Sequence, residues 1–246
     1  MLRLEGLPVV HAPAITAAQM AEVDRAAVEI YGLHLEMLME NASRAIATAA
    51  RAFLGGSVAR RRIIALAGPG NNGGDALGAT RHLLNWGAAA TVVIAVAPER
   101  LRSLPLAQYR ALAAIGVEPA PNVDRAALAA ADLILDGLLG YSASGAPHGD
   151  IAAFIEAADA SGAPILAIDI PSGLDPDTGA QPGACVSATA TVTLGLPKLG
   201  LLVPRARTHV GRLLLADIAI PAIAYERVGV DARGLFDRGE LVLIAD

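Results

Sequence analysis

Gly68-Pro69-Gly70-Asn71-Asn72-Gly73-Gly74-Asp75 decides how the rest of the chain is read. A short apolar run at residues 63–67 precedes it and an amphipathic segment at 76–86 follows, which predicts a strand, a glycine-rich turn and a helix start. Such a turn suits an anion. Glycine lets the backbone approach a ligand closely, and the free N–H groups and dipole of a new helix favour negative charge. Gly68, Gly70 and Gly73 match the dinucleotide fingerprint G-x-G-x-x-G, a weak signal by itself. Asn71, Asn72 and Asp75 sharpen it, because an ordinary dinucleotide loop works mainly through its backbone. A plainer reading stands beside this one: a tight strand-to-helix turn in which Asp75 caps the helix.

Downstream of the turn the pattern predicts strict alternation. Residues 90–97 read as a strand, 105–116 as a helix, 133–139 as a strand, 151–161 as a helix and 165–170 as a strand, with further strands at 189–196 and 212–218. Strands separated by helices imply right-handed crossovers, and near-continuous apolar strands imply burial on both faces. The fold class is therefore α/β: a Rossmann-like, doubly wound, mostly parallel sheet with helices on both faces, a three-layer αβα arrangement. Upstream, about a dozen irregular residues lead to Thr16-x-x-Gln19, a capping-box pattern, followed by Met20, Val23, Ala27 and Ile30 at helical spacing and by Gly32 as a stop. A second helical stripe carries Leu35, Leu38, Met39, Ala42, Ile46 and Ala49 and stops at Gly55-Gly56, with Glu40-Asn41 set among its apolar positions. Both helices precede the first strand, so they pack outside the alternation, across one sheet face or against another subunit. The tail beyond Pro221 mixes charged and apolar residues and ends in Leu241-Val242-Leu243-Ile244 without a decisive pattern.

A chain of 246 residues is long enough for one large α/β domain spanning residues 1–246. Hydrophobic residues make up 54%, yet no apolar run of the roughly 18 residues needed to span a membrane occurs. The opening Met1-Leu2-Arg3-Leu4-Glu5 lacks the basic end and apolar core of a secretory signal, so a cytoplasmic protein is expected. Cys185 is the single cysteine, which excludes an internal disulfide and a cysteine-based zinc cluster. A net charge of −5 and 3% aromatic residues argue against nucleic acid as a partner, and Arg60-Arg61-Arg62 reads as the flank of a strand. Exposed apolar residues on the opening helices point to a homodimer.

In open α/β sheets, ligands sit beyond the carboxyl ends of the strands, where strand order reverses. Besides the glycine turn, three strand ends carry polar groups: Asp136 to Gly145, Asp169-Ile170-Pro171-Ser172-Gly173, and Gly195-Leu196-Pro197-Lys198. An acid inside an apolar strand needs a hydrogen-bonding or cationic partner, because a buried carboxylate is otherwise costly. Asp136 and Asp169 each meet that need either by capping a loop or by serving a site. Lys198 is the only lysine beside eighteen arginines, so a compact ammonium is a candidate requirement there.

Taken together, residues 68–75, Asp136-x-x-x-Gly140, Asp169-Ile-Pro-Ser-Gly-Leu-Asp175-x-Asp-Thr-Gly179 and Gly195-Leu-Pro-Lys-Leu-Gly200 resemble the NAD(P)H-hydrate epimerases, the YjeF-type amino-terminal domain. Ile15-Thr16-x-x-Gln19-Met20 and Leu38-Met39-Glu40-Asn41-Ala42 fit its opening helices, so the resemblance covers roughly residues 13–221. It implies an isomerase that interconverts the R and S epimers of hydrated NADH and NADPH, with a separate dehydratase as a partner. It further implies that Asn71, Asn72, Gly73, Gly74, Asp75 and the loop Gly140, Tyr141, Ser142, Ala143, Ser144, Gly145 and Ala146 bind the substrate. Asp169 would face the reacting ring, Lys198 would orient water or the substrate phosphate, and Asn72, Asp136 and Ser172 would hold a potassium ion. One departure is clear: the family's loop usually reads Gly-Thr-Gly-x-x-Arg-Pro, and here its arginine is absent. A catalytically silent or differently specific binding domain, or a conventional NAD-dependent oxidoreductase, therefore remains as an alternative.

Overall fold

The computed structural model describes residue 4 and residues 6–245; the rest of the expected irregular opening, residues 1–3 and 5, lies outside the described part. Eight strands form one sheet: β1 (Val9–Val10), β2 (Arg62–Ala67), β3 (Ala89–Ile94), β4 (Leu133–Gly137), β5 (Ile165–Ile168), β6 (Ala190–Leu194), β7 (Arg212–Ala216) and β8 (Leu241–Ile244). The helices are α1 (Ala17–Glu29), α2 (Leu35–Phe53), α3 (Asn71–Asn85), α4 (Ser103–Ala114), α5 (Arg125–Ala129), α6 (Gly149–Ala160), α7 (Leu199–Leu202), α8 (Arg207–Val210) and α9 (Ala222–Glu226). The strand order is β1-β8-β7-β6-β5-β4-β2-β3, and every pair is parallel except β7 with β8.

Period-two alternation separates the two faces of the sheet. Along β2, Ile63, Ala65 and Ala67 join the core under α1, α2 and α3, while Ile64 and Leu66 join a second core with Leu128 of α5 and Phe154 and Ile155 of α6. Both faces are thus covered, which is why the strands read as unbroken apolar runs. From β2 the chain goes outward to β3, then returns to place β4 on the other side of β2 and continues through β5, β6 and β7. The gap between the carboxyl ends of β2 and β4 is the switch point, where such folds open a crevice.

Several expectations need correction. The glycine stretch is not a loop ahead of the helix, because α3 starts at Asn71 with Gly70 as its N-cap. Asp75 consequently sits inside the helix and caps nothing. Strict alternation breaks after β5, since residues 169–189 cross to β6 without a helix and only short turns of helix link β6 to β7. The strand expected to include Asp169 and Ile170 stops at Ile168, and Asp169 adopts a left-handed backbone with φ 65°. The opening is not wholly irregular: Val9–Val10 pairs with the tail strand β8, which itself lies antiparallel to β7. The two opening helices do pack across a sheet face, with α2 against α3 and above β6 and β7. The capping box of Thr16 and Gln19 forms in full, with Met20, Val23 and Ala27 buried and Ile30 exposed beyond the helix end. No helix among the described residues is long and apolar enough to cross a membrane.

Candidate active site

A cleft of about 420 Å³ opens at the switch point. Gly70, Asn71, Asn72 and Asp75 line it from the start of α3, Leu138 to Ala143 from the end of β4, Asp169 from the end of β5, and Lys198 from the turn before α7. Met20, Asp24, Leu38 and Met39 of the opening helices form its far wall. The close fit between the first two segments explains the glycines. A Cβ on Gly68 would fall 1.9 Å from the Leu138 carbonyl oxygen, and one on Gly73 would fall 2.0 Å from the Gly68 carbonyl oxygen. Gly73 and Gly74 do not line the cleft: Gly73 packs on Gly68, and a Cβ on Gly74 would meet the Met39 side chain at 2.7 Å.

Asp169 and Lys198 are the charged centre of the cleft. Both are almost wholly buried, at 4% and 1% exposure, and the Lys198 ammonium donates to Asp169 Oδ1. Its remaining hydrogens point to the Leu194 carbonyl at 3.0 Å and Thr193 Oγ1 at 3.5 Å, so all three donors of the ammonium have partners. Asp169 also accepts from the Tyr141 N–H at 3.2 Å (Oδ2) and the Leu194 N–H at 3.4 Å (Oδ1). Its left-handed backbone is one an Asp adopts at some cost, and such residues gather at sites where surrounding structure enforces them. Lys198 is held in place by Ile15, whose N–H donates to the Pro197 carbonyl and whose carbonyl accepts from the Leu199 N–H.

Around this pair, burial favours the protonated form of two further carboxyls. Burial raises the pKa of Asp75 well above the usual range, and the charges of Asp169 and Asp24 push the same way; no hydrogen bond reaches its carboxyl among the described residues. Burial also raises Asp24, against the opposing hydrogen bond from the Tyr141 hydroxyl.

Asp136 and Ser172 do not line the cleft but lie directly behind it. The Asp136 carboxylate accepts from the Ser172 N–H at 2.8 Å, the Ser172 hydroxyl at 2.6 Å and the Leu138 N–H at 3.3 Å. Burial lifts it to about 6 while those three hydrogen bonds oppose the rise. The Leu139 N–H donates to Ser172 Oγ at 2.9 Å, and the Asn72 amide donates to the Leu139 and Ile168 carbonyls at 2.8 and 3.1 Å. This polar layer ties the ends of β4 and β5 to the first turn of α3. Of the loop after β4, Gly140, Tyr141, Ser142 and Ala143 face the main cleft. Ser144 and Gly145 instead face a small neighbouring hollow with Gly173 and Asp175, and Ala146 packs near Gly183.

Two charged lining residues escaped the sequence reading. Asp24 interrupts an apolar stripe one helical turn after Met20, a signal that was present in the spacing. Arg102, the N-cap residue of α4, offers no such signal; it reaches the rim because its N–H donates to the Pro69 carbonyl at 3.3 Å.

The fold and cleft define a doubly wound α/β protein with its pocket at the switch point. The family described as YjeF-related protein N-terminus matches residues 35–200, and the chain belongs to that family. It is 39% identical over 236 residues to the NAD(P)H-hydrate epimerase of Dehalogenimonas lykanthroporepellens, covering 93% of this chain and 91% of that protein. It is 40% identical over 215 residues to the bifunctional NAD(P)H-hydrate repair enzyme Nnr of Moorella thermoacetica, covering 84% of this chain but only 40% of that longer protein. In fold it is similar to the crystal structure of the yeast protein ynu0, with a TM-score of 0.80 and 23% identity over 94% of this chain and 99% of that one.

Proposed function

We propose that the protein is an isomerase that interconverts the R and S epimers of hydrated NADH and NADPH at C6 of the nicotinamide ring, a repair of damaged cofactor. The observation that carries this reading is the buried Asp169–Lys198 pair at the floor of a cleft whose rim is the start of a fifteen-residue helix. The N–H groups of Gly70 to Asn72 and the Arg102 guanidinium offer contacts for the substrate phosphates. The pair then faces the reduced ring. When the C6–O bond breaks, the hydroxyl takes a proton and leaves as water, and the lone pair of the ring nitrogen forms a C=N⁺ bond. Water adds to the opposite face and gives back one proton, so atoms and charge balance. Asp169 shuttles that proton and stabilises the planar cation, and Lys198 orients Asp169.

The donor set behind the cleft fits a potassium ion. Asp136, Ser172 Oγ, the Leu139 carbonyl and the Asn72 amide oxygen are all oxygens, and the last accepts no hydrogen bond among the described residues. With no cluster of three or more His, Cys, Asp or Glu side chains among the described residues, the charge count suits a monovalent rather than a divalent cation. Bound there, potassium would neutralise Asp136 and brace the rim. Equal rates in sodium and potassium buffers would remove the ion from the proposal.

A homodimer is supported by the exposed Ile30, Leu35 and Met37, and sedimentation velocity tests it. The bifunctional NAD(P)H-hydrate repair enzyme, of which this chain covers only 40%, supports a separate dehydratase as a functional partner. A single buried thiol suits the reducing cytoplasm. The decisive experiment supplies one purified epimer of hydrated NADH or NADPH and follows its conversion to the other. Saturable binding without conversion would instead favour the silent binding domain left open by the altered 140–146 loop.

A further inference from the structure

Asp24 belongs to α1, which precedes every βα unit, and none of the strand-end motifs includes it. Its Oδ2 accepts a 2.6 Å hydrogen bond from the Tyr141 hydroxyl, 117 residues away along the chain. Tyr141 meets the charged centre at two other points. Its N–H donates to Asp169 Oδ2 at 3.2 Å, and its ring lies over Lys198, with Nζ 5.3 Å from the ring centroid. One residue therefore touches both members of the buried pair and is tethered at its far end by Asp24.

The tyrosine hydroxyl lies on the axis of the ring's own rotation, so anchoring it leaves the ring free to flip but fixes the direction of its long axis through χ1. The anchor must itself be rigid for this to matter, and it is. The capping box closes the start of α1, and the strand-like bridge from Ile15 to Pro197 and Leu199 ties that start to the backbone on either side of Lys198. Asp24 and Lys198 are thus positioned by the same short connection, so the phenol ring spans two points of fixed separation.

We propose that Asp24 is a positioning residue for the epimerisation: through the Tyr141 hydroxyl it holds the ring as a wall over Asp169 and Lys198, so that water meets the pair from the substrate side alone. This rests on the epimerase reading. A wall matters to that reaction because the planar cation is captured by whichever water reaches it, and a displaced ring misplaces both that water and Asp169.

The test compares wild type, Asp24→Ala, Asp24→Asn, Tyr141→Phe and the Asp24→Ala/Tyr141→Phe pair, using purified hydrated NADPH epimer as the probe. Asp24→Ala and Tyr141→Phe are expected to lower kcat on the order of tenfold with KM changed far less, and the double variant is expected to lose no more than the worse single one. Asp24→Asn keeps an oxygen acceptor and is expected to recover much of the lost rate. The chemical shifts of the labelled Tyr141 ring, read by NMR without substrate, are expected to move in Asp24→Ala as the ring axis leaves its place over Lys198. Wild-type kcat in Asp24→Ala, losses that multiply in the double variant, or unchanged ring signals would each overturn the proposal. An inactive wild type would overturn the epimerase reading, while the ring signals would still decide whether Asp24 anchors Tyr141.

Discussion

At the scale of single residues, the site concentrates ionisable groups that are stable only as a set. In the proposed mechanism Asp169 faces the ring, so Asp169→Ala is expected to abolish conversion. It also leaves Lys198 buried without its counter-charge, so a lower melting temperature with an unchanged shape of the circular dichroism spectrum is expected beside that loss. Lys198→Arg places a larger, planar cation in a slot with 1% exposure, so a loss of at least about tenfold in kcat is expected from overpacking and misdirection of Asp169. Asp75 gives a test by pH. Its folded-state proton affinity exceeds that of an unfolded carboxyl, so between the two the native state holds more protons and stability falls as pH rises. Asp75→Asn removes that penalty. It is expected to melt above wild type by a gap that widens from about pH 4 upward, each 1 kcal/mol reading as about 2–4 °C in a chain of this size. Asp136, Asp169 and Lys198 were legible in the sequence because a charge inside an apolar run is conspicuous. Ser172 was set with Asp136 only through the family resemblance, while the contacts of Asp169 with Lys198 and with the Tyr141 N–H are long-range pairs that spacing cannot reveal.

At the scale of elements, α2 crosses α3 at close range. A Cβ on Gly78 would lie 2.1 Å from Ser43 Oγ, and that fully buried hydroxyl has no hydrogen-bond partner among the described residues. Gly78→Ala should therefore lower the melting temperature, because the helices cannot separate without disturbing Met39 and Gly74 as well. Ser43→Ala should raise stability by on the order of 1 kcal/mol, since an unpaired buried hydroxyl carries a cost that a methyl group does not. Denaturant midpoints at constant m-value check both. Helical stripes and the capping box of α1 were readable from periodicity. The start of α3 was not, because Asn-Asn-Gly-Gly has poor helix propensity and is helical here only through close packing on Gly68 and Leu138.

For the whole molecule, the order of strands matters more than their number. Alternating segments announced a doubly wound sheet, but β8 runs antiparallel to β7 after an irregular tail and pairs with β1 across more than two hundred residues, and neither left a local mark. Together they cover the edge of β7, with Val242 fully buried. Removing residues 222–246 should expose that edge and promote edge-to-edge aggregation, which light scattering would register.

The narrow seam between Gly68, Gly73 and Leu138 also limits how this pocket can diversify. One bank is built from main chain in contact with main chain, so almost any replacement there collides before it can alter a ligand contact. The opposite bank, residues 140–143, is side chain on an open loop. Any drift or redesign of ligand preference is therefore channelled to that loop and to the side chains of the opening helices, and libraries meant to retune the pocket should leave the glycines untouched.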